Sequence, residues 1–444
     1  MNIIIAGAGE VGTHLAKLLS SEDQDIILMD PDEEKLNFPS SAEILTVVGN
    51  PTSIRDLRIA GVRQADMFIA VTPEEAINTT AAMIAHNLGA KQTIARINND
   101  EYLEAKTQEF FSTLGVDSFI CPETLAANEI ISALKQPWTR QWWEIGGENL
   151  ILLGVKVREN APIVNKFLYD FGPERRFYHI VAIKRDQETI IPRGSDQVLA
   201  GDLVYFTTTR EYVNEIKVSA GKGNLNIRKV IIMGGSRITM KVCERLPNHV
   251  GVRLLEIDKV KSYRLTESLP DNVIVINGDG RNADLLIQEN IDNCDAFIAL
   301  TGNSESNILA CLTAKRFGVQ KTVAEIENLD YIQMAEKFDI GSVINKKLIA
   351  SSHIYQYLLN ADVSTVKCLA FANAEVAELV ARAGSKITRK PVKNLHLPED
   401  MTLGGMTRNG VAEIITGDTI IQPGDHVLVF CLNSAMRKIK DYFN

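Results

Sequence analysis

The chain has 444 residues, of which 45% are hydrophobic and 23% charged, as in an ordinary globular protein with enough apolar material for several cores. Its formal net charge of -9 excludes the basic surface that nucleic-acid binding requires and argues against direct binding to an anionic membrane. The 6 cysteines form no C-x-x-C pair and the 7 histidines have no metal-ligand spacing, so neither disulfides nor a metal site are expected.

The N-terminus and the apolar runs indicate a cytoplasmic protein. The segment from Met1 to Gly7 leads directly into an apolar stretch, without the basic region and cleavage site of a signal peptide. The longest apolar runs, such as residues 150–155, are far shorter than the roughly 20 residues that span a bilayer. We therefore expect no membrane span in this chain.

The first part of the chain alternates short apolar strands with amphipathic segments. Its first helix has an apolar stripe at Val11, Leu15, Leu18 and Leu19. This alternation is typical of a parallel sheet with helices on both faces. The predicted strands are residues 3–6, 26–29, 44–48, 67–71 and 93–97.

A shorter pattern follows and predicts a small α+β lid. It consists of a strand at 150–157, a helix near 161–171, and strands at 179–184, 188–191 and 203–207. Trp138, Trp142 and Trp143 lie where the two parts join. We interpret these tryptophans as interdomain core, with a contact hot spot as the alternative.

An internal repeat organises the whole sequence. The segment 65–72 returns as 294–301, and 88–97 returns as 317–326, both 229 positions later, and Asn78 matches Asn307. In the lids, Gly201-Asp202 returns as Gly424-Asp425. Segments that repeat in order and spacing predict a tandem duplication.

The predicted fold is therefore α/β, with two tandem Rossmann-like parallel-sheet domains that are each followed by a small α+β lid. The first Rossmann-like domain is placed at residues 1–136 and its lid at 140–218. The second is placed at 228–355 and its lid at 362–444. A glycine-rich linker at 219–224 separates the two halves.

A dinucleotide-binding fingerprint opens the first half. It reads Gly7-Ala8-Gly9-Glu10-Val11-Gly12, a G-x-G-x-x-G that follows a strand and begins a helix. The glycines permit a tight turn and a close approach of the pyrophosphate to the backbone, and the helix N-terminus attracts its charge. Asp30 ends the second strand, where a carboxylate accepts hydrogen bonds from ribose hydroxyls, so NAD(H) is favoured over NADP(H).

The corresponding segment of the second half departs from this pattern. It reads Gly234-Gly235-Ser236-Arg237-Ile238-Thr239, so Ser236 and Thr239 replace the second and third glycines. Glu256 keeps the ribose position, but Glu325 stands where the first half has Arg96. Arg96 can bind a phosphate or form a surface ion pair. We therefore predict that the second site is weak, altered or empty.

No catalytic constellation is found. A dehydrogenase needs a proton donor beside the nicotinamide, and the lids offer only His179, His396 and His426, each standing alone in the sequence. The motifs Y-x-x-x-K, G-x-S-x-G and the P-loop are missing. We expect a protein that is not an enzyme, with an NAD-dependent oxidoreductase as the alternative.

The sequence resembles the TrkA family, the peripheral regulatory subunits of Trk potassium-uptake systems, which are built from RCK domains. The resemblance depends on the segment 3–12, on Val48-Gly49, on the segment from Ala65 to Thr72 with Asn78, on Ile94-Ala95-Arg96, and on the Gly-Asp pairs of the lids. It extends over essentially the whole chain in the order Rossmann, lid, Rossmann, lid.

The resemblance implies a regulatory function and two nucleotide sites. The first comprises Gly7, Gly9, Glu10, Val11, Gly12, Asp30, Thr72 and Arg96, and the candidate second site comprises Gly234, Arg237, Glu256, Gly278, Asp279 and Thr301. Gly49-Asn50 departs from the Gly-Asp that the family usually has after the third strand.

The implied ligand is NAD(H), with ATP or ADP as alternatives. The implied assembly is a homo-oligomer, expected to be a tetramer, docked on the cytoplasmic face of a TrkH-like potassium transporter. A regulatory module for another membrane partner, such as a channel or an antiporter, is a further alternative.

Overall fold

The computed structural model describes residues 1–20, 24–37, 44–145, 149–186, 188–358, 363–369, 374–432 and 436–443. Its contacts divide the chain into two compact units. Unit 1 contains Met1–Ala126 and Lys346–Leu358, and unit 2 contains Ala127–Asn345 and Leu359–Asn444. No helix among the described residues is long and apolar enough to cross a membrane.

Unit 1 is built on a six-stranded parallel sheet of order β3-β2-β1-β4-β5-β6. The five predicted strands are all present, and the short sixth strand was not predicted. Their buried, almost wholly apolar central members are typical of a sheet covered on both faces. The strands are β1 (Asn2–Ala6), β2 (Asp25–Asp30), β3 (Ile44–Val48), β4 (Met67–Ala70), β5 (Gln92–Arg96) and β6 (Ser118–Ile120).

Helices and short 3-10 turns connect these strands. The first helix buries Val11, Leu15 and Leu19 of its predicted apolar stripe, and Leu18 is half-buried. The 3-10 turns are Glu33–Leu36, Val62–Gln64 and Asp100–Leu103. The helices are α1 (Glu10–Ser20), α2 (Ile54–Ile59), α3 (Glu75–Leu88), α4 (Ala105–Thr113) and α5 (Pro122–Lys135), which continues into unit 2.

The first lid, in unit 2, is an antiparallel sheet of order β10-β9-β11-β8-β7 followed by α6 (Val213–Ser219). The helix predicted near 161–171 is wrong: that segment forms turns and then a 3-10 helix at Leu168–Arg176, because it lacks a continuous apolar stripe. A further 3-10 turn is Arg210–Tyr212. The strands are β7 (Gln141–Ile145), β8 (Leu150–Lys156), β9 (Tyr178–Arg185), β10 (Glu188–Ile190) and β11 (Leu203–Thr209).

Trp138 and Trp142 pack in the core of this lid. Trp142 and Trp143 lie on β7, a strand that was not predicted, and both are buried. Trp142 packs in one cluster with residues of the other lid strands, and Trp138 packs against that cluster. They stabilise the lid itself and do not form an exposed contact patch.

Unit 2 contains a second parallel sheet of order β14-β13-β12-β15-β16-β17, the same topology as the first. The predicted duplication is thus confirmed in three dimensions. Its strands are β12 (Lys229–Met233), β13 (Gly251–Glu256), β14 (Val273–Asn277), β15 (Ala296–Ala299), β16 (Lys321–Glu325) and β17 (Ser342–Ile344). Its helices are α7 (Arg237–Arg245), α8 (Lys259–Ser268), α9 (Ala283–Gln288), α10 (Ser304–Arg316) and α11 (Asp330–Lys337), with a 3-10 turn at Ile291–Asn293.

The second lid is an antiparallel sheet of order β18-β19-β22-β20-β21. Residue 362, where this lid was predicted to begin, lies outside the described residues. Two 3-10 turns, Lys386–Thr388 and Val392–Asn394, precede β20. The strands are β18 (Val363–Leu369), β19 (Ala374–Val380), β20 (Met401–Arg408), β21 (Val411–Ile414) and β22 (His426–Leu432).

The repeated Gly-Asp pairs have the same role in both lids. Asp202 is buried and accepts two hydrogen bonds from Arg185, at 2.9 and 2.8 Å. Asp425 is bound in the same way by Arg408, at 2.8 and 2.6 Å. A bidentate guanidinium compensates the cost of burying the carboxylate.

A charged cluster joins the first lid to the second parallel sheet within unit 2. Asp339, which follows α11, accepts hydrogen bonds from Arg140 and Arg158, and Lys315 Nζ lies 3.3 Å from its Oδ2. Burial alone would raise the pKa of Asp339, but these cations outweigh it and lower the pKa to about 2. The cluster is therefore held together by one ionised carboxylate.

The two remaining helices belong to different units. α12 (Lys346–Leu358) follows β17 along the sequence but belongs to unit 1, where it packs against α1. α13 (Met436–Phe443) closes the second lid. Residues 346–355 were predicted to belong to the second Rossmann-like domain, and their packing on α1 was not predicted, because a contact between segments so far apart leaves no local sequence pattern.

Candidate functional site

The glycines of the first fingerprint have two distinct roles. Gly7 ends β1 with a φ of +109°, and a Cβ on it would lie 2.9 Å from the amide nitrogen of Thr72. A Cβ on Gly12 would lie 1.9 Å from the carbonyl oxygen of Gly7. Gly7 and Gly12 are therefore required for the close packing of α1 against the sheet.

Gly9 differs from its two neighbours because it faces open space. A Cβ on Gly9 would have no atom of the described residues within 4 Å, and Gly9 is exposed. The exposed Glu10 begins α1, whose first-turn amides have no acceptor within the helix. The space in front of Gly9 and the first turn of α1 thus fits a phosphate group.

Asp30 holds the glycine turn in place. Its carboxylate is buried and accepts hydrogen bonds from the amides of Ala8, at 2.7 Å, and Asp32, at 3.0 Å. Each carboxylate oxygen has a further lone pair, so Asp30 retains capacity to accept a ribose hydroxyl. The ribose contact stays a prediction, and the hydrogen bond to Ala8 is an additional role that the spacing did not indicate.

Thr72 is fixed by Asn78 at the end of β4. Asn78 is fully buried, and its Oδ1 accepts hydrogen bonds from Thr72 N, at 2.8 Å, and Thr72 Oγ1, at 2.7 Å. Its Nδ2 donates to the carbonyl oxygens of Thr72 and Arg96, both at 2.9 Å. Asn78 therefore braces the ends of two neighbouring strands beside the glycine turn.

Arg96 is largely buried, and only part of its hydrogen-bonding capacity is used within the protein. Its Nη2 lies 3.0 Å from Oε1 of Glu123 in the first turn of α5, and the side chains are only 18% and 7% exposed. Arg96 Nε and Glu123 Oε2 are buried and have no hydrogen-bond partner among the described residues. Buried polar atoms normally have a partner, so this pair at the strand ends fits a ligand group that satisfies Arg96.

A residue from the second half completes the surroundings of the first fingerprint. Lys347 in the first turn of α12 places its Nζ 3.2 Å from Oε2 of Glu10. Sequence reasoning missed Lys347, and no sequence signal could have identified it, because the two residues lie in different repeats. Residues from both halves of the chain thus surround the first fingerprint.

In the second fingerprint, a side chain caps the N-terminus of the helix that follows. Ser236 is the N-cap of α7, and its Oγ accepts from Thr239 N at 3.3 Å. Thr239 is buried, and its hydroxyl donates to the carbonyl of Gly234 at 2.5 Å. Thr239 thus stands in the second half where the first half has Gly12, and Arg237 is exposed.

Glu256 is held more tightly than Asp30. It accepts from the amides of Gly235 and Asp258, both at 2.9 Å, and Lys261 Nζ lies 3.0 Å from Oε2. Burial would raise the pKa of Glu256, but these donors outweigh it and lower the pKa below its ordinary value. Oε2 of Glu256 thus already accepts from two donors, Gly235 N and Lys261 Nζ.

Asp279 and Thr301 of the predicted second site are also engaged within the protein. Asp279, which follows Gly278, is bound by Arg281 at 2.7 Å, and Glu325, which stands where the first half has Arg96, is buried. Thr301 repeats the brace of the first half: Asn307 Oδ1 accepts from Thr301 N, at 3.1 Å, and from its Oγ1, at 2.6 Å. The hydrogen bonds between asparagine and threonine are thus the same in both halves, whereas the fingerprint turn and the start of the following helix differ.

The lid histidines are not all isolated. His179 and His396 line one cavity of about 670 Å3 in unit 2, together with Arg193 and Lys393. His426 Nδ1 lies 3.8 Å from Oε1 of Glu378. His179 and His396, which are far apart in the sequence, thus come together where the two lids pack on each other. No group of three potential metal ligands occurs among the described residues.

The TrkA-N domain model matches residues 3–122 and 230–346, and the TrkA-C domain model matches residues 152–220 and 376–444. The Trk system potassium uptake protein TrkA of Haemophilus influenzae is 32% identical over 438 residues, covering 97% of this chain and 95% of that protein. The protein of the same name from Halomonas elongata is 31% identical over 451 residues, covering 99% and 97%.

Solved structures share the fold. The GsuK channel has a TM-score of 0.62 at 15% identity, covering 99% of this chain and 78% of that chain. The GsuK RCK domain has a TM-score of 0.61 at 15% identity, covering 100% and 94%. Both domain models match twice, in alternation, and the relatives match from end to end, so the chain belongs to the TrkA family.

Proposed function

We propose that this chain is a nucleotide-sensing regulatory subunit of a Trk-type potassium-uptake system. One observation carries the proposal: in a chain related over its full length to potassium uptake proteins, the first fingerprint is open at Gly9, while Ser236 caps the second. Such asymmetry is expected of a protein that binds a ligand at one site and keeps the other as framework.

NAD(H) is the proposed ligand of the first site, with ATP or ADP as alternatives. Asp30 would accept from the ribose, the first-turn amides of α1 would hold the pyrophosphate, and Arg96 would contact a phosphate. A structurally similar protein, with a TM-score of 0.60, is described as the GsuK channel bound to NAD. An acidic residue at the ribose position disfavours a 2′-phosphate and hence NADP(H).

The proposed output is conformational. Bound nucleotide shifts an equilibrium only by its differential affinity for two states, and couplings of about 1–3 kcal/mol would change transporter activity severalfold to roughly a hundredfold. No group transfer is required of this chain, which agrees with relatives that are named as uptake proteins and not as enzymes.

The proposed assembly is a homo-oligomer, expected to be a tetramer, on the cytoplasmic face of a TrkH-like transporter. Both parallel sheets expose apolar side chains on the edge strand and the helix after it: Leu45 and Ile59 in unit 1, and Ile274 and Ile287 in unit 2. Exposed apolar faces of this kind mark protein contacts.

The first experiment measures potassium uptake at limiting external potassium in cells with and without this chain. We expect a large loss of uptake without it, at unchanged transporter levels. Gly9→Ala should lose the response to nucleotide, because the new methyl group fills the phosphate space without contacting the protein. Gly223→Ala is the matched control, since its Cβ also meets no described atom and lies in the linker.

Two results would overturn the proposal. Unchanged uptake without the chain would remove the potassium-uptake assignment and favour a different membrane partner. Sustained oxidation of NADH by the purified chain would favour the oxidoreductase alternative. In either case the fold and the family membership would stand, because they do not depend on this assay.

A further inference from the structure

Helix α12 packs against α1, and contacts near its two ends anchor it to α1 and to β6. Near its N-terminus, Lys347 pairs with Glu10, and near its C-terminus Tyr357 accepts a hydrogen bond from Ser118 Oγ at 2.6 Å. Between them, Ala350 and Ile354 are completely buried. The position of Lys347 relative to the fingerprint is therefore defined by packing as well as by the ion pair.

The pair of Lys347 and Glu10 is unequal in exposure. The side chain of Lys347 is only 15% exposed, whereas that of Glu10 is 63% exposed. An ion pair with a well-solvated carboxylate contributes little stability, so it exchanges readily for a stronger anion. A phosphate offers more charge and more acceptor oxygens than a carboxylate.

Glu10 lies beside the proposed phosphate position. It is the first residue of α1 and lies directly after Gly9, whose open face fits a phosphate. A carboxylate at that place repels a phosphate unless a cation neutralises it. Lys347 is the cation that the structure pairs with Glu10.

His14 shows that the charge of Lys347 acts on this face of α1. Burial first, and then the positive charges of Lys347 and Lys17, lower the pKa of His14 below its ordinary value. His14 lies one helical turn after Glu10, on the same face. The charge of Lys347 thus reaches the face of α1 that follows Glu10.

We propose that Lys347 is a phosphate-binding residue of the first nucleotide site, exchanged between Glu10 and the ligand. It is held by Glu10 until a nucleotide phosphate competes for it, and then it turns from the carboxylate to the phosphate. This inference rests on the proposed function, since it requires that the first fingerprint binds nucleotide.

The proposed contact would bring a residue of the second half to the ligand of the first site. Lys347 lies in α12, which follows β17 along the sequence and precedes the second lid.

The test is a double-mutant cycle on nucleotide affinity, with the full chain titrated with NADH and with ATP. Lys347→Gln should weaken both by about tenfold, the size expected for a hydrogen bond to a charged group. Glu10→Gln should strengthen both severalfold, because it removes the competitor. Lys17→Gln makes the same charge change at the other end of α1 and should have little effect.

The double variant shows whether Lys347 contacts the phosphate or only neutralises the charge of Glu10. If Lys347 contacts phosphate, Glu10→Gln/Lys347→Gln still binds more weakly than the unmodified chain, because removing the repelling carboxylate does not restore the lost contact. If Lys347 only screens Glu10, the double variant regains wild-type affinity and the proposal is overturned. Adenosine, which has no phosphate, should bind all four forms equally, and unequal binding would likewise count against a phosphate contact.

Failure of this inference is separable from failure of the proposed function. If the unmodified chain binds neither NADH nor ATP, the nucleotide-sensing function itself fails. If it binds them and Lys347→Gln behaves like Lys17→Gln, only the role of Lys347 is refuted. Circular dichroism of each variant establishes that the fold is retained.

Discussion

Arg96 and Glu123 form an ion pair of 3.0 Å that links the end of β5 to the first turn of α5. Both side chains are largely buried, yet Arg96 Nε and Glu123 Oε2 have no partner among the described residues. A pair with unused hydrogen-bonding capacity on both sides is suited to exchange one partner for a ligand. Because α5 continues into unit 2, this pair lies at the start of the chain segment that connects the units.

Removing either member of this pair should change nucleotide affinity in opposite directions. Arg96→Gln should weaken NADH binding by about tenfold, because it removes a charged donor from the phosphate end of the site. Glu123→Gln should strengthen binding a few-fold, because Arg96 is then released from its competing carboxylate. Fluorescence titration with NADH measures both.

Lys91→Gln is the control for these variants. Lys91 directly precedes β5, at the opposite end of this strand from Arg96. It pairs with Asp66 at 2.7 Å, and its side chain is 72% exposed. Its replacement should leave the affinity unchanged. Equal effects of Arg96→Gln and Lys91→Gln would mean that net charge, and not a contact, governs binding.

Gly9→Ala and Gly12→Ala should separate binding from folding. The Cβ at Gly9 meets no described atom, so Gly9→Ala should retain the melting temperature and lose nucleotide affinity. The Cβ at Gly12 would overlap the carbonyl oxygen of Gly7, so Gly12→Ala should destabilise unit 1 by about 1–3 kcal/mol or more. Urea denaturation and NADH titration of both variants check this, and equal stability of the two would contradict it.

Local patterns predicted the sheets but not the contacts between distant segments. The five strands of the first sheet and the duplication follow from apolar runs and from segments repeated at one offset. The sixth strand, Ser118–Ile120, was missed because three residues carry no periodicity. Glu123 and Lys347 were missed because side-chain partners across the sheet or across the repeats leave no spacing to read.

The matched asparagines should stabilise their sheets to the same extent. Asn78→Ala and Asn307→Ala each leave two strand-end carbonyls and a threonine amide without a partner, for a cost of about 2–4 kcal/mol. All three tryptophans lie in unit 2, so Trp fluorescence should report the loss for Asn307→Ala. Circular dichroism should report both. A change below about 0.5 kcal/mol would refute the brace.

The two fingerprints predict one tight nucleotide per chain. Asp30→Ala should abolish tight binding, because it removes the predicted ribose acceptor and the hydrogen bond that orients Ala8. Glu256→Ala should leave the stoichiometry at one, since Ser236 and Lys261 already occupy the groups that a ligand would need. Calorimetric titration gives both results, and two equal tight sites would contradict the asymmetry.

Asp339 should make the stability of unit 2 depend on pH in the acid range. Its pKa is about 2 in the folded chain against an ordinary 3.8, because Arg140, Arg158 and Lys315 outweigh the effect of burial. A lowered folded pKa contributes stability that is present above pH 3.8 and is lost as the pH falls toward 2. Asp339→Asn should cost about 2 kcal/mol at neutral pH, since the cations lose their shared carboxylate and are partly screened by solvent.

The difference between Asp339→Asn and the unmodified chain should shrink as the pH is lowered from neutral toward the folded pKa of about 2, because the carboxylate is then protonated in both states. Trp fluorescence in urea measures it, since the tryptophans share unit 2 with the cluster. Asp418→Asn is the control: its pair with Lys393 is exposed, at 82% and 58%, and should contribute less than about 0.5 kcal/mol. A pH-independent difference for Asp339→Asn would show that its role is packing, and that its charge does not hold the first lid to the second sheet.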